Sequence, residues 1–165
     1  TLATDSVTAA KLEVSAITGA DLPAGSVLQV VSATFGTSTS STTTSWVNTP
    51  ITASITPTST SSKILISVNT TVYVASAGTY AGRTSIFRGT STGTNLGHSA
   101  LGFANIWNAD GTGSSETAGM SYLDSPSTTS SQAYTVCMRS EGNSSQITVM
   151  DGGTKATITL QEIAG

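Results

Sequence analysis

The segment Lys63–Val74 (KILISVNTTVYV) constrains the fold more than any other part of the chain. Ile64, Ile66, Val68, Val72 and Val74 fall on one side, and Ser67, Asn69 and Thr71 on the other. This period of two is what a strand needs when one face meets a core and the other meets solvent. Weaker segments of the same kind follow or precede it: Ser26–Phe35, Ile51–Thr56, Thr79–Arg88, Leu96–Trp107, Glu116–Leu123, Gln132–Arg139, Gln146–Met150 and Lys155–Ile163. Turn-forming residues separate several of them, at Gly89–Gly93, Asn108–Gly113 (NADGTG), Asp124–Ser127 and Asp151–Gly153. Thr37–Ser45 is an unbroken run of Ser and Thr and reads as a loop. About nine short strands without one helix-length pattern predict an all-β fold, an antiparallel β-sandwich of jelly-roll-like topology over residues 26–165.

Composition decides whether such a chain folds. Charged residues are only 9% of the 165 residues, against about 25% in ordinary domains. Ser and Thr fill the gap, at about a third of the chain. Such a composition suits either a disordered stalk or a β surface with Thr at outward positions. The regularly spaced Val, Ile and Leu decide for the folded state. The six Lys and Arg are scattered and the net charge is −3, so there is no basic stripe to displace counterions from a nucleic acid. No apolar run approaches the ~18 residues of a membrane-spanning helix, so no membrane insertion is expected.

Residues 1–25 (TLATDSVTAAKLEVSAITGADLPAG) differ from the rest. Val7, Leu12, Val14, Ile17 and Leu22 are spaced at neither 2 nor 3.6, and Pro23 and Gly25 then punctuate the chain. The segment is too short and too thinly apolar to form its own core. It is expected to be an extended or partly helical leader, a neck that oligomerises. Val7, Leu12, Val14 and Ile17 would be the shared core of a homotrimer.

Groups capable of chemistry are few. His98 is the only histidine, and the Gly-x-Ser-x-Gly pattern around it fails at Leu101. His98 and Ser99, as strand neighbours, would point to opposite faces. Cys137 is the only cysteine, so neither an internal disulfide nor a thiolate-rich zinc site is available, and a buried core position is expected. Asp110 and Glu116 flank one hairpin and are the one conceivable carboxylate pair for glycoside hydrolysis. NADGTG lacks the first Asp and the closing Glu of a calcium loop, which leaves a plain turn. No catalytic residue, metal ligand or cofactor site is predicted. Trp107 stands just before NADGTG, where a ring presented at a loop tip would stack on a sugar face, with Asn108 and Asp110 as hydrogen-bonding neighbours. The alternative is that Trp107 plugs the end of the sandwich.

Four segments together resemble a known family: LPAGSVLQVV (Leu22–Val31), SKILISV (Ser62–Val68), SYLDSPSTTSSQAYTV (Ser121–Val136) and ATITLQEIAG (Ala156–Gly165). They are similar to the C-terminal β-sandwich module of tailed-bacteriophage tail-fibre and virion fibre proteins. The Leu123–Pro126 turn and the closing strand carry most of the likeness. Residues 3–12 (ATDSVTAAKL) look like the repeats that precede fibre heads. The resemblance implies a virion structural protein on the particle exterior, a trimeric tail fibre or receptor-binding tip. Such a protein would contact a host surface glycan or protein, and its leader would join other virion proteins. It transfers no defined site. A head fibre or capsid decoration without receptor function is the alternative, and a fibre-borne glycan hydrolase a remote one.

Overall fold

The computed structural model describes residues 22–75, 80–108, 112–142 and 145–165. The leader residues Val7, Leu12, Val14 and Ile17, and also Asp110, lie outside them. Eleven strands run through the described residues. They are β1 (Val27–Phe35), β2 (Thr39–Ser41), β3 (Val47–Ile55), β4 (Lys63–Ala75), β5 (Tyr80–Arg88) and β6 (Thr94–Asn95). After them come β7 (Ala104–Asn108), β8 (Ser114–Asp124), β9 (Gln132–Ser140), β10 (Gln146–Val149) and β11 (Ala156–Ile163). The one helical element among the described residues is a single 3-10 turn at Asp151–Gly153.

All pairings are antiparallel and make two sheets. The first contains β1, β11, β4, β10, β2 and β8; the second contains β3, β9, β5, β6 and β7. Several strands are halves of one line. β11 pairs with Lys63–Asn69 of β4 and β10 with Val72–Ala75, on the edge of β4 opposite β8. β1 and β2 continue one another in the same way along β11 and β10, and so do β7 and β6 along β5. Counting each interrupted line once leaves four strands in each sheet. The first line then pairs with the last, the second (β3) with the seventh (β9), the third (β4) with the sixth (β8), and the fourth (β5) with the fifth. That nesting is one long hairpin wrapped around itself, with successive pairs alternating between sheets, and it defines a jelly roll.

The core lies between the sheets. β4 contributes Ile64, Ile66, Val72 and Val74, and β11 contributes Ile158 and Leu160, all fully buried. Opposite them stand Ile51, Ile86, Tyr134 and Val136. Burying each large aliphatic side chain contributes about 1.5–3 kcal/mol, enough in sum for a core without disulfide or metal. Gly82 also faces inward: a Cβ there would come within 2.6 Å of Val74 Cγ2. Along one flank, β8 and β7 bring Tyr122 edge-on to Phe103, with ring centroids 5.8 Å apart. On the opposite flank Pro50, which has no N–H to donate, sits in the bulge of edge strand β3 between Asn48 and Thr52. The Thr49 hydroxyl donates to Val136 O there at 2.8 Å and keeps the bulge attached to β9.

Two expectations need correction. Thr37–Ser45 is not wholly a loop, because Thr39–Ser41 pairs with Val149–Ile147. A Thr- and Ser-rich segment makes a good edge strand once a partner is in reach. Leu96–Trp107 is not one strand. Leu96 N and Phe103 N both stay on the ladder, donating to Ile86 O and Thr84 O at 2.9 Å each, while the residues between are extruded. Gly102, at φ 69°, permits this; a Cβ there would collide with Thr84 O and Trp46.

Candidate functional site

The strand ends define two poles. Near the first, Gly25 N donates to Ala164 O and Ala164 N to Ser26 O, both at 2.8 Å, and Ser61 Oγ donates to Gly165 O at 3.1 Å. Both ends of the described chain therefore sit at this pole, and the leader attaches here. The β2–β3, β4–β5, β7–β8 and β9–β10 connections leave from the opposite pole.

Trp107 stands near that far pole, on the outer side of edge strand β7, and half of its surface is exposed. It neither occupies a loop tip nor plugs the sandwich. Asn108 does not accompany it to the surface. Asn108 is buried, and its amide donates to Val74 O at 3.4 Å. Alternation decides this: consecutive strand residues face opposite ways, so Trp107 and Asn108 cannot share one surface. The neighbours of Trp107 on its own face are Asn105, two residues back, and Ala81 across the ladder. Next to these lies Arg83, which is buried and fully engaged. It donates to Asn105 Oδ1 at 3.2 Å and Ala100 O at 3.4 Å, and pairs with Glu141 Oε1 at 2.9 Å. Sequence reasoning missed Asn105, Arg83 and Glu141. The i, i+2 rule along β7 was enough to find Asn105, but Arg83 and Glu141 required the pairing.

The remaining polar groups hold the fold. His98 caps its own turn: Nδ1 accepts from Ala100 N at 3.2 Å and Leu101 N at 3.1 Å. Cys137 is buried and donates weakly to Asn48 Oδ1 at 3.5 Å, and burial pushes its thiol up to about 12. It lies under the outer face of the second sheet rather than in the central core. Arg139 is stacked on Trp46, its guanidinium 5.6 Å from the ring centre. Glu116 is exposed on β8.

Two carboxylates from the segments that carry the family resemblance are buried. Asp124 accepts from the Tyr134 hydroxyl at 2.8 Å and is 3.4 Å from Arg88 Nη1. Burial, reinforced by that hydrogen bond, holds the Tyr134 phenol far above its ordinary range. Glu162 accepts from Gln29 Nε2 at 2.6 Å, Thr58 N at 2.6 Å and Thr58 Oγ1 at 2.7 Å. Burial opposes its charge, but these donors outweigh that and hold its carboxyl below the ordinary value of 4.5. Glu162 thereby ties β1 and the β3–β4 connection to β11. Among the described residues no three His, Cys, Asp or Glu stand close enough together to hold a metal ion. No helix among them is long and apolar enough to cross a membrane.

No family model matches the chain, and no curated protein matches it. Solved structures of infectious bursal disease virus give partial overlays. That of the Gx strain has 14% identity and a TM-score of 0.39, over 83% of this chain and 37% of that one. That of the T13 viral particle has 15% identity and a TM-score of 0.37, over 82% and 36%. The chain spans little more than a third of those chains, and scores this low transfer neither topology nor function.

Proposed function

We propose that this chain is a bacteriophage virion structural protein, the head of a homotrimeric tail fibre or receptor-binding tip. The polarity of the jelly roll carries this reading. The leader and the end of the last strand share one pole, and four inter-strand connections leave from the other. A projecting head needs that arrangement, anchored at one end and presenting the opposite end to a host surface. The sequence resemblance to virion fibre modules supports the same reading. So does the engagement of His98, Cys137, Asp124 and Glu162 in structural contacts. In this reading the exposed Trp107 ring is the contact for a host glycan, with Asn105 rather than Asn108 beside it.

Binding of the purified chain to host-cell envelope fractions tests the receptor role. The unaltered chain should bind, and Trp107→Ala should weaken binding about tenfold, the loss of one stacking contact. No binding of the unaltered chain to any envelope fraction would remove the receptor role. Placing the chain on the particle separates a tail fibre from the alternative of a head fibre or capsid decoration.

A further inference from the structure

The outer face of the first sheet ends in an apolar patch. In one rank across the sheet stand Leu123, Leu65, Gln161 and Val30, and in the next rank Ile163 is paired with Val27. Val27, beside the β1 register shift, is 51% exposed, Val30 56% and Leu123 47%, large values for aliphatic side chains on strands. With strands about 4.8 Å apart and same-face ranks about 7 Å apart, the patch covers on the order of 250 Å². A contiguous apolar area of this size commonly marks an interaction site. The whole face, taken along the length of β4, measures on the order of 800 Å², the share of one partner in a standard interface.

Two observations choose the occupant. The first is position. Gly25 N donates to Ala164 O, next to Ile163, so the leader attaches at the edge of this patch. Residues 1–21 precede the described chain there, and they include Val7, Leu12, Val14 and Ile17. If leaders of several copies associate, their heads are delivered with these patches side by side. The second is charge. No strand residue on this outer face is acidic, and Lys63, at the patch, is the only basic one. The ranks beyond the patch are uncharged, for example Ser121, Ser67, Thr159 and Ser32. A surface that meets copies of itself must avoid like charges, whereas a strongly acidic or basic partner would find nothing to pair with.

We infer that this patch is a contact between copies of the chain, with the Val30–Leu123 ranks of the heads converging on the axis set by their leaders. The inference rests on the oligomer proposed above and adds a second surface to it. The test is sedimentation of the full chain beside a Val30→Asp/Leu123→Asp variant, with far-UV circular dichroism and Cys137 protection as controls for folding. The unaltered chain should sediment as an oligomer. The variant should need at least ten times the concentration to assemble while its head stays folded. An unaltered chain that is monomeric at micromolar concentration overturns both the oligomer and this contact. An oligomer whose assembly the folded variant leaves unchanged overturns this contact alone and leaves the leader as the only association site. If the aspartates unfold the head, Val30→Thr/Leu123→Thr is read by the same criteria. A second readout needs no loss of stability. Val30→Cys in a Cys137→Ser background should form a disulfide-linked dimer under mild oxidation, and a chain that remains unlinked while oligomeric overturns the convergence.

Discussion

The two sheets have similar inner faces and very different outer ones. The second sheet is wrapped by its own chain. Between β6 and β7 the extruded residues fold over it, and Trp46 lies across it, its indole donating to Ser99 O at 3.1 Å and meeting Phe87 edge-on at 5.5 Å. Beneath this cover Ser85, Phe87 and Cys137 are buried, although they point away from the central core. Among the described residues the first sheet has no such cover. Its outer face keeps Ser, Thr and Asn in solvent and leaves Val27, Val30 and Leu123 exposed. One outer face has thus been used to stabilise the head, and the other is left uncovered by the described residues. An internal cover rigidifies a sheet at no cost in association entropy, while a free face keeps its binding energy for assembly.

This contrast can be broken most strongly at Gly102. Gly102→Val places a β-branched residue at φ 69° and drives Cβ against Thr84 O and Trp46. The cover should lift, costing about 2–4 kcal/mol, and thermal unfolding should move down by roughly 10 °C. An unchanged melting temperature would show that the cover contributes little. Trp46→Ala should cost less, about 2 kcal/mol. Its clearer signature is chemical: the buried Cys137 should resist a thiol reagent in the native chain and label in the folded variant.

Glu162 sharpens the comparison at the leader pole, where it fastens β1 to the first sheet. Glu162→Gln turns one of the two carboxylate oxygens into an amide donor that faces either the Gln29 or the Thr58 donors, and should cost about 2 kcal/mol at neutral pH. Because the folded carboxyl titrates below 4.5, its stabilisation is complete above that value and is lost as pH falls through the lower folded value. Stability of the native chain should therefore fall on acidification below about pH 4.5, and the Gln variant should fall less steeply over the same window. Parallel acid limbs would show that Glu162 is not the group responsible. The smallest effect belongs to the bare face: Ser121→Lys, at an exposed position of edge strand β8, should change the stability of the head by no more than about 0.5 kcal/mol. A larger loss would mean that this face is already covered within the monomer.

Much of this architecture was legible beforehand. The alternation in Lys63–Val74 placed Ile64, Ile66, Val68, Val72 and Val74 inward, and all of them are buried. Strand limits elsewhere moved by only a few residues, with Ile51–Thr56 extended back to Val47 and Glu116–Leu123 back to Ser114. The difficulties arose where a local pattern had two outcomes. Thr39–Ser41 is a strand only because β10 passes beside it. Leu96–Trp107 has strand-like composition, yet Gly97 and Gly102 let its middle leave the ladder. At the surface, adjacency in the chain groups Trp107 with Asn108, whereas the strand puts Asn105 on the same face as Trp107 and buries Asn108.

The sequence by itself determined the β class, the inward residues and the scarcity of chemical groups, because these follow from side-chain period and composition. Only the tertiary structure decided the nested jelly-roll order, the burial of Asp124 and Glu162, and which outer face is covered. These depend on contacts between residues far apart in the chain. Gln29 and Glu162 are 133 positions apart and 2.6 Å in space. A period of two says that a side chain points out of a sheet; whether it then meets water, a loop or another copy depends on where the rest of the chain goes.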